Sequence, residues 1–342
     1  LKQPSSPSDK SLLTIDDVAK AAGVSRSTVS LVLRDSPLIA APTSEKVRRA
    51  IASLGYVYNR KAAIRARLSH LVGIVIPDLA NPFFSELTAG IDSVLNEAGW
   101  VALLGSTAES VEKQTLIVQR MQEQKVDGVL ICPAIDSNQA LATLIEASSF
   151  PMLQVLRHLD PATGAYLGID YAQGVGLAVD HLCDLGHRDI VFLGEALHHS
   201  AAAERRIGFE AGMRRHGLEP RYQPCPLTRS GGAAAVEALC AAPNPPTALV
   251  CFNDVVAFGA MTSLAALGKR VGADVSVVGF DNVPEAAFVR PGLTTVDSSA
   301  RLLGVEAARL ILDSIRAGTP LGDRSPTRMP TRLVLRKTTG PV

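Results

Sequence analysis

Five short apolar runs, continuous rather than alternating, constrain the fold of this chain more than any other feature. They lie at residues 71–76 (Leu-Val-Gly-Ile-Val-Ile), 128–132, 190–194, 248–252 and 275–280. A strand with one wet face alternates apolar and polar residues, whereas a strand covered on both faces is apolar throughout, so each run reads as a buried parallel strand. Stretches with helical spacing lie between them, as at 112–124 and 174–185. Parallel strands joined by helices imply doubly wound α/β sheets, and the length allows two of them. Ligands bind such sheets beyond the carboxyl ends of the strands. Those positions are rich in polar groups: Asp78 and Asn81 after the first run, Asn253 and Asp254 after the fourth, Asp281 and Asn282 after the fifth. Acids and amides beside Phe83 and Phe84 suit a polyhydroxylated ligand, because carboxylates accept from hydroxyls and aromatic faces stack on C–H surfaces.

The chain before the first run has a different character. Residues 10–67 carry eleven Lys and Arg against four Asp and Glu; the whole chain is only +1, so the remainder is net acidic. A basic block on an acidic body is the electrostatic footprint of a nucleic-acid-binding head. Thr14 is placed to cap a helix, with Asp17 at the capping-box position, and Ile15, Val18, Ala19 and Ala22 recur on one face. Gly23 ends that helix after about two turns, and Ser25 caps a second one that buries Val29, Val32 and Leu33. The second helix presents Arg26, Ser27, Ser30, Leu31 and Arg34 outward. A third helix spans about 41–54, with Gly55 as its stop. Residues 1–12 read as a disordered leader, 13–58 as the helical head and 59–70 as a hinge, basic and helix-prone but too short to be a stable helix alone.

The run Thr14-Ile-Asp-Asp-Val-Ala-Lys-Ala-Ala-Gly-Val-Ser-Arg-Ser-Thr-Val-Ser30, with Leu54-Gly55-Tyr56, resembles the N-terminal signature of the lactose-repressor (LacI/GalR) family. The likeness continues through Pro77-Asp-Leu-Ala-Asn-Pro-Phe-Phe84, Leu185-Gly-His-Arg188, Glu204-Arg-Arg-Ile-Gly-Phe209, Val278-Gly-Phe-Asp-Asn282 and Arg332-Leu-Val-Leu-Arg336. The resemblance implies a helix-turn-helix head on a body like a periplasmic binding protein over 71–340. Its N-subdomain would comprise about 71–168 and 300–328, and its C-subdomain about 169–299 and 329–340. It implies DNA contacts by Thr14, Ser25, Arg26, Ser27, Thr28, Ser30, Leu31, Arg34 and Tyr56, and by Arg60, Lys61, Ile64 and Arg65 in the hinge. In the family, paired hinges push an apolar wedge into the minor groove; Ile64 is the first candidate here and Leu68 the second. Leu31 stands where relatives often carry a hydrogen-bonding side chain, so it either reads a thymine methyl or packs inward.

Effector contacts carried over by the same resemblance are Phe83, Phe84, Asp170, Arg205, Asn253, Asp254 and Asp281. Arg205 offers a fork to adjacent hydroxyls or a carboxylate, unless it pairs with Glu204. Asp281 is otherwise a strand-end cap, and Asp254 a structural acid. The expected partners are double-stranded, near-palindromic operator DNA, a second copy of the chain, and a small molecule. The latter is a mono- or disaccharide, with a nucleobase or phosphorylated sugar as alternatives. The resemblance implies a repressor; activation at some promoters stays open.

Other function classes lack their chemistry. No G-x-S-x-G elbow, P-loop or dinucleotide glycine pattern follows a strand, so neither catalysis nor a cofactor is expected. An exported sugar-binding module would need a signal segment, and the first dozen residues have no apolar stretch of that kind. The five cysteines form no C-x-x-C pair, and His198-His199 has no ligand partner at metal spacing, so surface or rim histidines are expected in a reducing, cytoplasmic protein. His187 is expected to anchor the strand that follows it.

Overall fold

A computed structural model of the chain describes residues 13–33, 36–56, 68–159, 164–194, 199–319, 321 and 327–342. By contact the chain divides into two units, Leu1–Arg67 and Leu68–Val342. The first contains α1 (Ile15–Ala22), α2 (Arg26–Val32) and α3 (Ala41–Leu54). Thr14 opens α1 with a closed capping box: its hydroxyl oxygen accepts from Asp17 N–H, and its own N–H donates to the Asp17 carboxylate at 2.9 Å. Gly23, at φ 57°, ends α1 in the left-handed conformation that costs glycine least. Ser25 Oγ then accepts from Thr28 N–H at 3.1 Å and starts α2. Two capped helices separated by three residues must fold back on each other, and Val18, Ala22, Val29, Val32, Val47 and Ala50 close between them and α3.

The second unit holds two six-stranded sheets. In the N-subdomain the order is β11-β5-β4-β3-β1-β2, built from β1 (Leu71–Ile76), β2 (Val101–Ser106), β3 (Gly128–Ile131), β4 (Met152–Val155), β5 (Tyr166–Ile169) and β11 (Thr327–Met329). In the C-subdomain it is β12-β10-β9-β8-β6-β7, from β6 (Ile190–Leu193), β7 (Arg221–Gln223), β8 (Ala248–Cys251), β9 (Ser276–Asp281), β10 (Thr294–Asp297) and β12 (Arg332–Val334). Among the described residues every strand pairing is parallel except β10 with β12. The five apolar runs are β1, β3, β6, β8 and β9; β5, Tyr-Leu-Gly-Ile and buried throughout, is a sixth such run that was not foreseen from the sequence, and the other six strands are short, at an edge or interrupted by polar residues. The helices are α4 (Pro82–Glu97), α5 (Val111–Glu123), α6 (Asn138–Ala147), α7 (Tyr171–Asp184), α8 (Ser200–Arg215), α9 (Arg229–Ala241), α10 (Asp254–Ala266) and α11 (Ala300–Ala317).

Helix α11 returns to the N-subdomain and packs on α4 so closely that a Cβ at Gly90 would lie 2.0 Å from Arg301 O, and one at Gly304 2.1 Å from Leu87 O. The chain passes between subdomains three times: at Asp170, at Ser298–Ser299 and at Pro330–Thr331. The first and third passes are stitched together, with Asp170 N–H donating to Met329 O at 2.9 Å and Thr331 N–H to Gln173 Oε1 at 2.9 Å. Residues 68–70, expected as hinge, belong to the body in this fold. Leu68 packs against the body core, and the N–H groups of Ser69 and His70 donate to the Asp127 carboxylate at 3.2 and 2.8 Å. Leu68, the second choice of wedge, thus sits on the body side of the junction.

Candidate functional site

The loops at the carboxyl ends of both sheets face one another across an open cleft; its inner part is a cavity of about 560 Å³, which shares Arg157, His199 and Phe252 with an adjoining one of about 870 Å³. Asn81 caps α4 by accepting from Phe83 N–H at 3.0 Å, and Pro82 fits the first helical turn, so the backbone turns sharply out of β1. That turn delivers Phe83 and Phe84, edge to face at 5.4 Å, to the cavity wall. From the C-subdomain come Arg205 on the second turn of α8, Asn253 capping α10, and Asp281 at the end of β9.

Arg205 is the centre of this arrangement. Its guanidinium carbon sits 4.0 Å from the ring centroid of Tyr171, 4.3 Å from Phe252 and 4.5 Å from Phe280. Electron-rich faces on several sides replace part of the hydration that a cation loses on burial. One terminal nitrogen donates to Ala201 O at 3.2 Å, the other lies 3.9 Å from Asp281 Oδ1, and Nε has no partner although it is buried. Burial lowers the guanidinium pKa, opposed by Tyr171 and Asp281. Burial also pushes the Asp281 carboxyl well above the usual carboxylate range despite the nearby cation. Asp281 holds φ 114°, a strained conformation for a side-chain-bearing residue, and its carbonyl accepts from Ser298 Oγ at 3.2 Å. The expected alternative pairing of Arg205 with Glu204 does not occur: Glu204 turns instead to Arg328, at 2.7 Å.

Asn253 spends its side-chain oxygen on Val256 N–H at 2.9 Å, which leaves only its amide nitrogen to donate elsewhere. Two expected contacts lie away from the cavity. The carboxylate of Asp170 caps α7 through Gln173 N–H at 2.9 Å, within the first passage between subdomains. Asp254 is fully buried behind β9, accepting from Thr295 Oγ1 at 2.5 Å and from Val283 N–H at 2.9 Å, and burial raises its pKa to about 7. A Cβ on Gly279 would come within 2.2 Å of its oxygen, so this acid is walled in by the backbone it supports.

Three cavity residues were not foreseen as contacts. Arg157 and Glu109 form a two-pronged ion pair, each prong 2.9 Å. They follow β4 and β2, strands that no continuous apolar run announces. His199 was expected only at a surface or rim. It caps α8 by accepting from Ala202 N–H through Nδ1 at 3.2 Å. Burial first, then Arg157 and Arg205, push its pKa down to about 2, so the ring is neutral. With Nδ1 accepting, the proton must sit on Nε2, which is buried without a partner. Two residues of the cavity wall thus carry buried donors without a hydrogen-bond partner, Arg205 Nε and His199 Nε2. His187 is structural, joined to Thr247, Ser276 and Gly340 at 2.9–3.0 Å.

On the head, Arg26 and Ser27 are exposed on α2, while Ser30 and Leu31 are half-buried. The hydroxyls of Thr14, Ser25 and Thr28 are engaged in caps and in one another: Thr14 donates to Asp17 at 2.7 Å, and Ser25 Oγ lies 2.9 Å from Thr28 Oγ1. Tyr56 packs against the head core. Arg34, Arg60, Lys61, Ile64 and Arg65 lie outside the described residues.

Residues 14–59 match the family described as bacterial regulatory proteins, lacI family, and residues 179–339 match the periplasmic binding protein-like domain. The chain is 32% identical over 311 residues to the HTH-type transcriptional repressor PurR of Vibrio cholerae, an alignment covering 89% of this chain and 92% of the relative. A Lac repressor dimer bound to operator and the anti-inducer ONPF superposes with a TM-score of 0.72 at 30% identity, covering 96% of this chain and 99% of that one. The transcriptional regulator CelR in complex with cellobiose gives 0.69 at 30% identity, covering 95% and 99%. With the capped helix pair, the two parallel sheets and the cleft between them, these likenesses place the chain in the lacI family of bacterial regulatory proteins.

Proposed function

We propose that the chain represses transcription from a near-palindromic operator as a homodimer, and that a sugar bound between the two subdomains controls its grip on DNA. The observation that carries the reading is the Arg205 guanidinium, caged by three rings and short of hydrogen-bond partners, in the wall of a cavity rich in acids, amides and aromatic faces. Buried donors without partners are costly, and a polyhydroxylated ligand supplies the acceptors. Arg26 and Ser27 would read base edges, with Leu31 on a thymine methyl. Pairing of two copies would cover apolar side chains now exposed, among them Leu104 on the edge strand β2 and Phe288 in the C-subdomain. No described helix is long and apolar enough to cross a membrane, and a cytoplasmic location follows from the proposed DNA partner.

Operator fragments selected from a random DNA library test the head. Arg26→Ala should weaken binding by about 1–3 kcal/mol and leave ligand binding intact. A thermal-shift panel of D-ribose, D-glucose, cellobiose and adenine tests the cleft. A sugar at 100 times its Kd should stabilise the full chain by about 2.7 kcal/mol, and adenine should not. A shift with adenine alone would replace the sugar by a nucleobase.

A further inference from the structure

Residues 200 and 204, and likewise 201 and 205, are one helical turn apart, so the first turns of α8 present two adjacent faces. One face carries Ala201 and Arg205 toward the effector cavity. The other carries Ser200 and Glu204, and what it meets belongs to the opposite subdomain. Glu204 Oε1 accepts from Arg328 at 2.7 Å, and Arg328 sits on β11, the edge strand of the N-subdomain sheet. The same oxygen lies 3.7 Å from His158 Nε2, in the loop after β4. Ser200 Oγ accepts from the backbone N–H of His158 at 3.0 Å. The His158 ring is itself held edge-on to Tyr166 of β5, centroids 4.7 Å apart, so it is a fixed post. Glu204 keeps only 16% of its side-chain surface exposed but does not line the cavity.

We infer that Ser200 and Glu204 form a latch that holds the two subdomains together, and that Glu204 is a positioning residue for effector recognition, acting through Arg205 on the same helix. The inference rests on the reading of the cavity as the effector site. Opening the cleft separates α8 from β11 and from the loop after β4, so it must break the Arg328 and His158 contacts. In the same movement it carries Arg205 away from the N-subdomain wall. An effector that holds Arg205 therefore draws on a closed state that the latch has already made favourable, which is how a ligand shifts an equilibrium between two arrangements.

The His158 amide donates across the subdomain boundary and reports the latch directly. Hydrogen exchange of the full chain, without DNA or effector, is followed on peptides covering residues 157–159 and 327–329. Glu204→Gln and Arg328→Gln should each accelerate exchange there about five- to tenfold, the size of a modest coupling between states. The core strands β3 and β8 should keep their protection. The two substitutions together should add little to either one. The reversed pair, Glu204→Arg with Arg328→Glu, should recover protection. Unchanged exchange at His158 in both single variants overturns the latch. Equal acceleration in β3 and β8 does so too, because Glu204 would then support the fold and not the closure. Since neither DNA nor effector is used, a failed latch leaves the sugar reading standing, and a failed sugar screen leaves the latch standing.

Discussion

Among the described residues each subdomain lends the inner cavity one arginine, and the two are held in opposite ways. Arg157 of the N-subdomain has its terminal nitrogens filled by Glu109 and Pro133 O, at 2.9–3.1 Å. Arg205 of the C-subdomain has one backbone acceptor, one acid at 3.9 Å and an empty Nε among three rings. A guanidinium with matched partners gains little from a ligand, because it would exchange one good set of hydrogen bonds for another. One that lacks partners gains the full difference between an unmade and a made bond. The wall opposite Arg205 thus shapes the cleft, while the C-subdomain holds the unmet demand for a ligand.

Arg205→Ala is the hardest test of this asymmetry. It should weaken the sugar found by thermal shift by about 100-fold or more while operator binding persists, since truncating a desolvated charge that contacts a ligand costs several kcal/mol. Titration calorimetry would show the reverse ranking if Arg157 were the true contact. Arg157→Ala should act on the fold, not the ligand. Removing one partner of a mostly buried ion pair costs about 2 kcal/mol once the partial exposure of Glu109 is allowed for, and urea unfolding reads that loss. Sugar affinity should change less than about threefold, because no filled bond to ligand is lost.

The acid behind the C-subdomain wall acts through pH and not through the ligand. Asp254, with a pKa of about 7 when folded, binds its proton more tightly in the native state than in the unfolded chain. Its ionisation therefore removes stability as pH rises from the unfolded carboxylate range of about 4 toward 7. Asp254→Asn can still accept from Val283 N–H and can donate to the Thr295 hydroxyl. The variant's margin over the parent should grow by about 2–3 kcal/mol between pH 5 and pH 8. Equal stability differences at both pH values would mean that Asp254 holds its proton no more tightly in the fold than in the unfolded chain.

The sequence revealed the head more fully than the cleft, for a physical reason. Helix ends in the head are written in local chemistry: Thr14 with Asp17, Gly23, Ser25 and Gly55 each act within three or four residues. The five central strands were equally legible because burial on both faces demands an unbroken apolar run. β5 meets the same demand with only four residues, Tyr-Leu-Gly-Ile, and escapes notice because so short a run has little periodicity to read; the other strands obey weaker demands. β2 is a half-exposed edge, β4 contains the buried Gln154, β7 is Arg-Tyr-Gln, β11 and β12 are three residues long with an arginine each, and β10 begins with two threonines. With β2 and β4 unseen, the positions just beyond them, which hold Glu109 and Arg157, gave no signal. His199 was obscured differently, since its donor role depends on which ring nitrogen caps α8. Asp170 and Asp254 were placed by resemblance of position, and the fold uses both as backbone acceptors instead.

Asp127 carries a consequence for how motion leaves the body. By holding the N–H groups of Ser69 and His70 in one carboxylate, it pins the chain to the N-subdomain sheet two residues before β1 begins. A tether that starts from a welded joint has no play at its root. Whatever rotation closing the cleft imparts to the N-subdomain is therefore shared by Ser69 and His70, so the point at which the chain enters the body turns with the sheet and takes up no slack.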